Sequence, residues 1–584
     1  MSFRARSRRL LREEEPERVL LPILRPLVAD AARLMGERPA DARSRAASAR
    51  AAAIRALEPL HQQLRASLER RGIRYHRVET AAEARALVHH LLRRSRRVAK
   101  SKSMVCEEIG LTPYLRERGI DVMETDIGEY LVDLEGRGPS HITAPALHLN
   151  RARIRELLLR TGADVPDDDP LRLSQAVREA VAAFFEDCDA AITGANAVVA
   201  SSGRAVIVEN EGNVALGVSH PRLHIVVTGL EKVVADEEGA LAVLEVLAPN
   251  ATGQQLTAFT HFVADPLPGQ ERHVIFVDNG RSRILRDERY RDLLRCIRCG
   301  ACMNACPVYR VAGGLAYGSP YMGPIGAVLS PLLWRDGRYA DLPFASSLCG
   351  RCTEVCPVGI PLHRMLLELR ADAVRARHAG SAGERAAWRL WAAAFARPPV
   401  ARAATATGRF LLAALGRVRR PGAADPRTLP DLRGPRGEGL RSARPPHHEP
   451  GPSDARRLPD DLLDRFRQRA GEAAVHLLDS YEPAPGDRLV PAAAGIALTG
   501  SVLLAGEAAA RRPLLAAERV VIELDPARIV PLPRDLEPFL TGEARNDALI
   551  LTGPSRTADI EKQIVRGIHG PAEIAILLKR EERP

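Results

Sequence analysis

Two cysteine runs set the strongest limit on what this chain can fold into. The first reads Cys296-Ile-Arg-Cys-Gly-Ala-Cys-Met-Asn-Ala-Cys-Pro307. The second, about fifty residues on, reads Ser346-Ser-Leu-Cys-Gly-Arg-Cys-Thr-Glu-Val-Cys-Pro357. Seven of the nine cysteines fall between positions 296 and 356, while Cys106 and Cys188 stand alone. A secreted disulfide framework spreads its cysteines through the chain, so crowding of this kind points to metal. Structural zinc sites join two Cys-x-x-Cys pairs across a longer loop. Here Cys296, Cys299, Cys302 and Cys306 follow the x2, x2, x3 spacing and end in Pro307, which is the bacterial ferredoxin run for a [4Fe–4S] cluster.

The spacing has a geometric meaning. Three thiolates this close can take three iron corners of one cube, and the fourth, before the proline, faces away to the neighbouring cluster. The crossed pattern gives cluster one Cys296, Cys299, Cys302 and Cys356. Cluster two receives Cys306, Cys349 and Cys352, one thiolate short, with Ser346 standing where a first cysteine belongs. Three outcomes stay open for the second site: Ser346 or another oxygen group as fourth ligand, an open iron, or a [3Fe–4S] cluster. The expectation is two iron–sulfur clusters, the second a [4Fe–4S] centre with a non-cysteine ligand. Residues 313–326 read as irregular loop, and Ile360–Arg375 as a helix with Leu362, Met365, Leu366 and Leu369 on one face. That helix is expected to cover the clusters, since excluding water tunes their potential.

The rest of the chain must supply other domains, because 584 residues exceed one hydrophobic core. A net charge of +11 suggests a polyanion partner, yet only five of the 84 basic residues are lysine and the arginines are spread throughout. With no aromatic-interleaved basic stripe, a nucleic-acid role is not expected. Ser7-Arg-Arg-Leu-Leu11 superficially resembles a twin-arginine signal, but the acidic stretch from Arg12 replaces the apolar region such a signal needs. The longest apolar candidate, Trp388–Leu415, is broken by arginines and prolines. The reading is a cytoplasmic chain that does not span a membrane and would meet one only through partners.

Residues 1–57 are arginine- and alanine-rich with helical periodicity, and an α/β domain is expected over 58–285. Strands are expected at 72–78, 121–123, 190–192, 204–208, 224–228 and 273–277, separated by helices, which argues for a largely parallel sheet. Polar residues gather where these strands end: Lys102, Glu107 and Glu108, then Asn196, then Glu209, Glu211 and Asn213, then Lys232. Ligands of open α/β sheets bind beyond the carboxyl ends of strands, so these eight are the candidate site residues, with catalytic roles unassigned. No G-x-G-x-x-G follows a strand and no P-loop lysine is present, so no NAD, FAD or ATP signature appears.

The runs KSKSMVCEEIGL (100–111), ETDIGEYL (124–131), PSHITAPALH (139–148), ITGANAVVA (192–200), VENEGN (208–213), GLEKVV (229–234), ATGQQLTAFT (251–260) and FVDNGRS (276–282), followed by the cysteine runs, resemble the lactate-utilisation protein B family. The resemblance covers roughly residues 50–420. It implies a LUD domain similar to the sugar-isomerase and CoA-transferase type of α/β fold, joined to a small, mostly helical two-cluster ferredoxin-type domain. It also implies serine at the position of Ser346, a cysteine-rich A-type partner and a C-type LUD partner. Ser201-Ser-Gly203 departs from the family pattern, where an acidic residue, Thr and Gly are usual.

A Pro-, Gly- and Arg-rich stretch from Gly422 onward reads as a linker. Beyond it, residues 492–504 echo 195–207 and residues 519–530 echo 224–234, with no counterpart of residues 100–150. The ending, Thr552–Glu561 and Gly567–Pro571, resembles the C-type subunit, so a second, shortened α/β domain of that kind is expected. The expected division is 1–57 helical, 58–285 LUD, 286–375 iron–sulfur, 376–421 helical extension, 422–457 linker and 458–584 shortened LUD. The function expected from the resemblance is an iron–sulfur electron-transfer subunit for oxidation of L-lactate to pyruvate, an oxidoreductase component acting on a small 2-hydroxy acid. The alternatives are a subunit for another such acid, for example glycolate, a redox-sensing ligand-binding protein, and a zinc-bound regulator.

Overall fold

The computed structural model describes residues 1–376, 382–397, 399–400, 403, 407, 462–478, 480–541, 547–557, 560 and 564–579. The expected linker at 422–457 lies outside the described residues. The chain divides into one compact unit of Met1–Ala371 with Ala455–Pro584, and a second unit of Asp372–Asp454. Within the second unit a helix spans Ala382–Phe395, on which Trp388 and Trp391 stack edge to face at 5.6 Å.

The first unit is built on three larger sheets and a two-stranded one, in which β18 (Arg556–Thr557) pairs antiparallel with β19 (Val565–Arg566). One holds β1 (Arg74–Val78), β2 (Arg97–Lys100), β3 (Asp121–Glu124), β4 (Ala190–Thr193), β7 (Leu223–Gly229) and β10 (Glu271–Val277). Their order is β1-β10-β7-β4-β2-β3 and every pairing is parallel. A parallel sheet is covered on both faces, so its strands read as continuous apolar runs; all seven residues of β7, LHIVVTG, are buried. All six strands expected from the sequence are present, five of them in this sheet; the sixth, at Ala205–Glu209, lies in another sheet with antiparallel neighbours, and the four-residue β2 was not among those expected.

The internal repeat proves to be structural. In the carboxyl-terminal segment, β11 (His476–Leu478), β12 (Asp487–Pro491), β15 (Arg519–Leu524) and β20 (Glu573–Leu578) form a parallel sheet in the order β11-β20-β15-β12. This matches β1-β10-β7-β4 strand for strand, and β2 and β3 have no counterpart. Of these, β3 lies within the region the sequence repeat lacks, and β2 ends where that region begins. A further sheet takes β5 (Ala197–Val199), β6 (Ala205–Glu209), β8 (Val233–Val234) and β9 (Phe259–Val263) from the first copy. The second copy adds β13 (Ala494–Ile496), β14 (Ser501–Ala505), β16 (Ile529–Val530) and β17 (Ala548–Leu551). They form one sheet ordered β16-β13-β14-β17-β9-β6-β5-β8, so each copy contributes the same four strands in mirrored order. The two copies meet at the antiparallel β9–β17 junction, with Phe262 opposite Ala548 and Phe259 opposite Leu551. An antiparallel junction between like strands is the pairing a local two-fold produces. The carboxyl-terminal segment therefore completes a shared sheet rather than standing apart.

Amino-terminal helices at Phe3–Glu13, Pro16–Glu37 and Ala42–Arg55 agree with the helical reading of residues 1–57. They pack on the cysteine-bearing region: Arg6 donates to the carbonyls of Ala316 at 2.8 Å and Tyr317 at 2.7 Å, and Leu20 and Leu24 share a core with Cys299, Cys306 and Cys352. The helix Leu362–Arg375 buries Leu362, Met365, Leu366 and Leu369 in that same core. Its Arg370 donates to the Ser346 carbonyl at 2.7 Å, so the helix does cover the second cysteine run.

Candidate functional site

The two cysteine runs fold into the same backbone. Arg298 (φ 62°) and Leu348 (φ 57°) occupy matching places and both take the left-handed conformation, uncommon for residues with a side chain. Gly300 (φ 78°) and Gly350 (φ 81°) follow, and each opens one helical turn, at Ala301–Asn304 and Arg351–Glu354. The Arg298 N–H donates to Cys296 Sγ at 3.4 Å, and the Leu348 N–H donates to Ser346 Oγ at 3.1 Å. Ser346 thus holds the place of Cys296, with its oxygen where the thiol sulfur would be. Tyr309 N–H donates to Cys306 Sγ at 3.5 Å and Ile360 N–H to Cys356 Sγ at 3.4 Å. Such donors favour thiolate and are among the groups that set cluster potentials.

The thiols of the two runs act on one another through their fields. Burial raises the Cys302 thiol, and Cys296, Cys299 and Cys356 raise it further, with Cys352 a smaller contributor. Burial likewise raises Cys352, to about 11, with Cys306 and Cys349 adding to it. Among the described residues no three His, Cys, Asp or Glu side chains converge as a single metal ion needs. Seven thiols with backbone donors aimed at several sulfurs, six of them buried or half-buried, fit two clusters; Cys349 alone is exposed.

A buried charge network ties the first cysteine run to the α/β domain. Glu108 accepts from Arg281 Nη1 at 2.8 Å and Nη2 at 2.7 Å, from Tyr321 Oη at 2.6 Å and from Asn279 Nδ2 at 2.7 Å. Arg281 Nε also donates to Glu231 at 2.6 Å, and Arg298 Nη2 reaches Glu231 at 3.4 Å while its guanidinium lies over the Tyr321 ring at 4.8 Å. Burial alone would raise the Glu231 carboxyl, but Arg281, Arg298 and Lys232 outweigh it and hold it at about 2. Burial and the Arg298 charge press Lys232 down to about 7. Arg50, buried, donates to the carbonyls of Val233, Glu231 and Leu294 beside it. A second seam joins His141 Nε2 to Asn304 Oδ1 at 2.8 Å and Tyr309 Oη to the Ser140 carbonyl at 2.7 Å.

A cavity of about 850 Å³ opens where the parallel strands end. Of the eight sequence candidates, Lys102, Asn196, Glu209, Glu211, Asn213 and Lys232 line it, and Glu107 and Glu108 do not. Several of these six are already committed to holding the fold. Glu209 caps the helix Asn213–Ser219, accepting from the N–H groups of Gly212, Val214 and Ala215 at 2.8–2.9 Å and from His261 Nε2 at 2.6 Å. Glu211 accepts from the Ile127 N–H at the start of another helix, and Asn196 Oδ1 from the Val208 N–H. Lys102 pairs with Asp126 at 2.6 Å, and Asn213 Nδ2 donates to Thr125 Oγ1 at 3.2 Å. Lys232 Nζ donates to the Cys296 carbonyl at 3.4 Å, directly linking the cavity to the first cysteine run. Glu107 sits beside the buried Lys100 at 3.5 Å, where Glu124 is the nearer partner at 2.7 Å.

Sequence reasoning missed Arg298, which lines the cavity from the cluster turn itself, and Thr499, Thr552 and Arg556, which wall it from the second repeat. Arg298 carried a usable signal, being the cation between the first two cysteines of the run. Ser201-Ser-Gly203 lies outside the lining, held against the helix Leu57–Arg70 by Ser67 Oγ, which donates to the Ala200 carbonyl at 2.8 Å.

The LUD domain family matches residues 61–290 and 489–578, and the 4Fe-4S dicluster domain family matches residues 292–360. Proteins named lactate utilization protein B from Bacillus thuringiensis (strain Al Hakam), Bacillus cereus (strain B4264) and Bacillus anthracis (strain A0248) are each 42% identical over 337 residues, covering 56% of this chain and 71% of the relative. A crystal structure of a DUF162 family protein from Deinococcus radiodurans is 16% identical, covers 38% of this chain and 98% of its own, and has a TM-score of 0.21, too low to carry an argument. The dicluster match, with seven cysteines gathered at 296–356, supports two [4Fe–4S] clusters in this region. With more than half its length matched in two segments that flank the dicluster domain, the chain belongs to the LUD domain family.

Proposed function

We propose that this chain is the iron–sulfur electron-transfer subunit of a multi-protein system that oxidises L-lactate to pyruvate. The names of its relatives and the dicluster domain support a role in lactate utilisation by iron–sulfur electron transfer. The observation that carries the finer reading is the position of Arg298: it stands between ligands Cys296 and Cys299 and also lines the cavity beyond the strand ends. Oxidation of a 2-hydroxy acid to the 2-oxo acid releases two electrons and two protons. When bound, two [4Fe–4S] clusters supply a pair of one-electron acceptors. Cys296, Cys299, Cys302 and Cys356 would hold cluster one, and Cys306, Cys349 and Cys352 would hold cluster two, with Ser346 Oγ placed as the candidate fourth ligand. The exposure of Cys349 makes the second the outward-facing member. The A-type cysteine-rich and C-type LUD subunits are the expected partners, and the carbon chemistry is shared with them.

The test uses the full chain, purified without oxygen and mixed with its A-type and C-type partners. L-Lactate should reduce the clusters, seen as growth of [4Fe–4S]⁺ EPR signals, with pyruvate formed in step; glycolate serves as the competing acid. Clusters that dithionite reduces and lactate does not would refute the assignment.

A further inference from the structure

The cluster-facing end of the cavity carries more positive charge than its partners balance. Arg50, Arg281, Arg298 and Lys232 gather there, and among the described residues the carboxylates that pair with them are Glu108 and Glu231. Arg281 is fully engaged between those two carboxylates. Arg50 spends its donors on main-chain carbonyls. Arg298 and Lys232 differ: both line the cavity. Arg298 Nη1 is buried and meets no acceptor, and the Lys232 ammonium has one hydrogen bond among the described residues, to the Cys296 carbonyl. A buried guanidinium nitrogen without an acceptor costs free energy unless a ligand completes it. Two cationic donors on neighbouring elements, facing one cavity, form a receptor for a carboxylate.

We infer that Arg298 and Lys232 bind the carboxylate of a small 2-hydroxy or 2-oxo acid, seating it against the turn that holds cluster one. This rests on the proposed function for the class of acid, and adds where the acid binds and which side chains hold it. The cavity is far roomier than a three-carbon acid requires, so the acid occupies only the end closed by these two residues. The arrangement brings the substrate to the metal by recognition, since the residue that reads its charge is part of the cluster loop. The competing role for the two cations is to offset the negative charge of a thiolate-ligated cluster, and the experiment separates the two.

Binding of pyruvate to the anaerobic holo-protein is measured by calorimetry, with the EPR line shape of each cluster recorded alongside and inorganic sulfate as a control anion. Pyruvate should bind saturably and perturb one cluster signal only. Arg298→Gln and Lys232→Gln should each weaken binding at least tenfold with iron and sulfide content unchanged, and Arg298→Lys should recover part of the loss. Unchanged affinity in the variants, with or without a shifted cluster potential, overturns the inference, as does absence of binding to the wild type or equal binding of sulfate. If Arg298→Gln fails to retain iron, Lys232→Gln, outside the cysteine run, decides. Lactate-driven cluster reduction together with unweakened variants would leave the proposed function standing and remove this site. Pyruvate held by the pair without lactate-driven reduction would do the reverse.

Discussion

Replacing Glu108 by Gln distinguishes a structural carboxylate from a catalytic one. The carboxylate accepts four hydrogen bonds, two from Arg281, one from Tyr321 and one from Asn279, at 2.6–2.8 Å, and its side chain is wholly buried. An isosteric amide keeps one accepting oxygen and turns an NH₂ toward donors, so contacts on one side become donor against donor. Removing one partner of a buried ion pair costs about 3–5 kcal/mol. Glu231 still holds Arg281 Nε at 2.6 Å, which places the effect at the lower end, about 3 kcal/mol. At about 2–4 °C per kcal/mol for a sizeable domain, the apparent melting midpoint of the anaerobic holo-protein should fall by about 6–12 °C. Because Tyr321 also carries the Arg298 guanidinium, the EPR signal of cluster one should broaden while that of cluster two holds. Lactate-dependent reduction measured well below the midpoint should survive. Activity abolished with an unchanged midpoint would refute this reasoning and return Glu108 to the chemistry.

Three further outcomes are expected. Ser346→Cys places a thiol where Ser346 Oγ accepts the Leu348 N–H, so EPR of the reduced protein should show the second cluster altered and the first unchanged. Gly314→Ala would put a methyl 1.7 Å from the Ser140 carbonyl oxygen, at the seam between the α/β and iron–sulfur regions. The resulting overpacking should cost at least about 1–3 kcal/mol, seen as a lower thermal midpoint and easier loss of iron. His569, buried beside Gly212 where the repeats meet, is pushed by burial from the usual 6.5 to about 4, with Arg178 opposing and Glu209 favouring its charge. Between those two values the unfolded chain binds the proton first, so stability falls as pH drops from 6.5 toward 4. The loss should reach about 2 kcal/mol at pH 5 relative to pH 7. A urea-midpoint profile over that range should flatten in His569→Phe.

What could be read directly was whatever short-range spacing encodes. The two cysteine runs each span twelve positions, so the cysteine spacing, the serine at 346 and the repeated turn follow from neighbours along the chain. The buried strands declared themselves as apolar runs, and the repeat showed through because β13–β16 keep the pattern of β5–β8. Side-chain roles were a different matter. Glu107, Glu108, Glu209 and Glu211 look alike in a list of polar residues at strand ends. Only the fold decides that Glu108 meets Arg281, 173 positions away, that Glu209 meets His261, 52 away, and that Glu211 reaches back 84 to Ile127. The order of strands in the sheets, and not the order of residues in the chain, sets those encounters. The same holds for the cavity, walled by Thr552 and Arg556 of one repeat and by Lys232 and Arg298 of the other and its cluster turn. Thiol spacing is a property of a few bonds, legible from composition and order. The joining of β9 to β17 across nearly three hundred residues depends on burial of both copies at once, which local sequence does not encode.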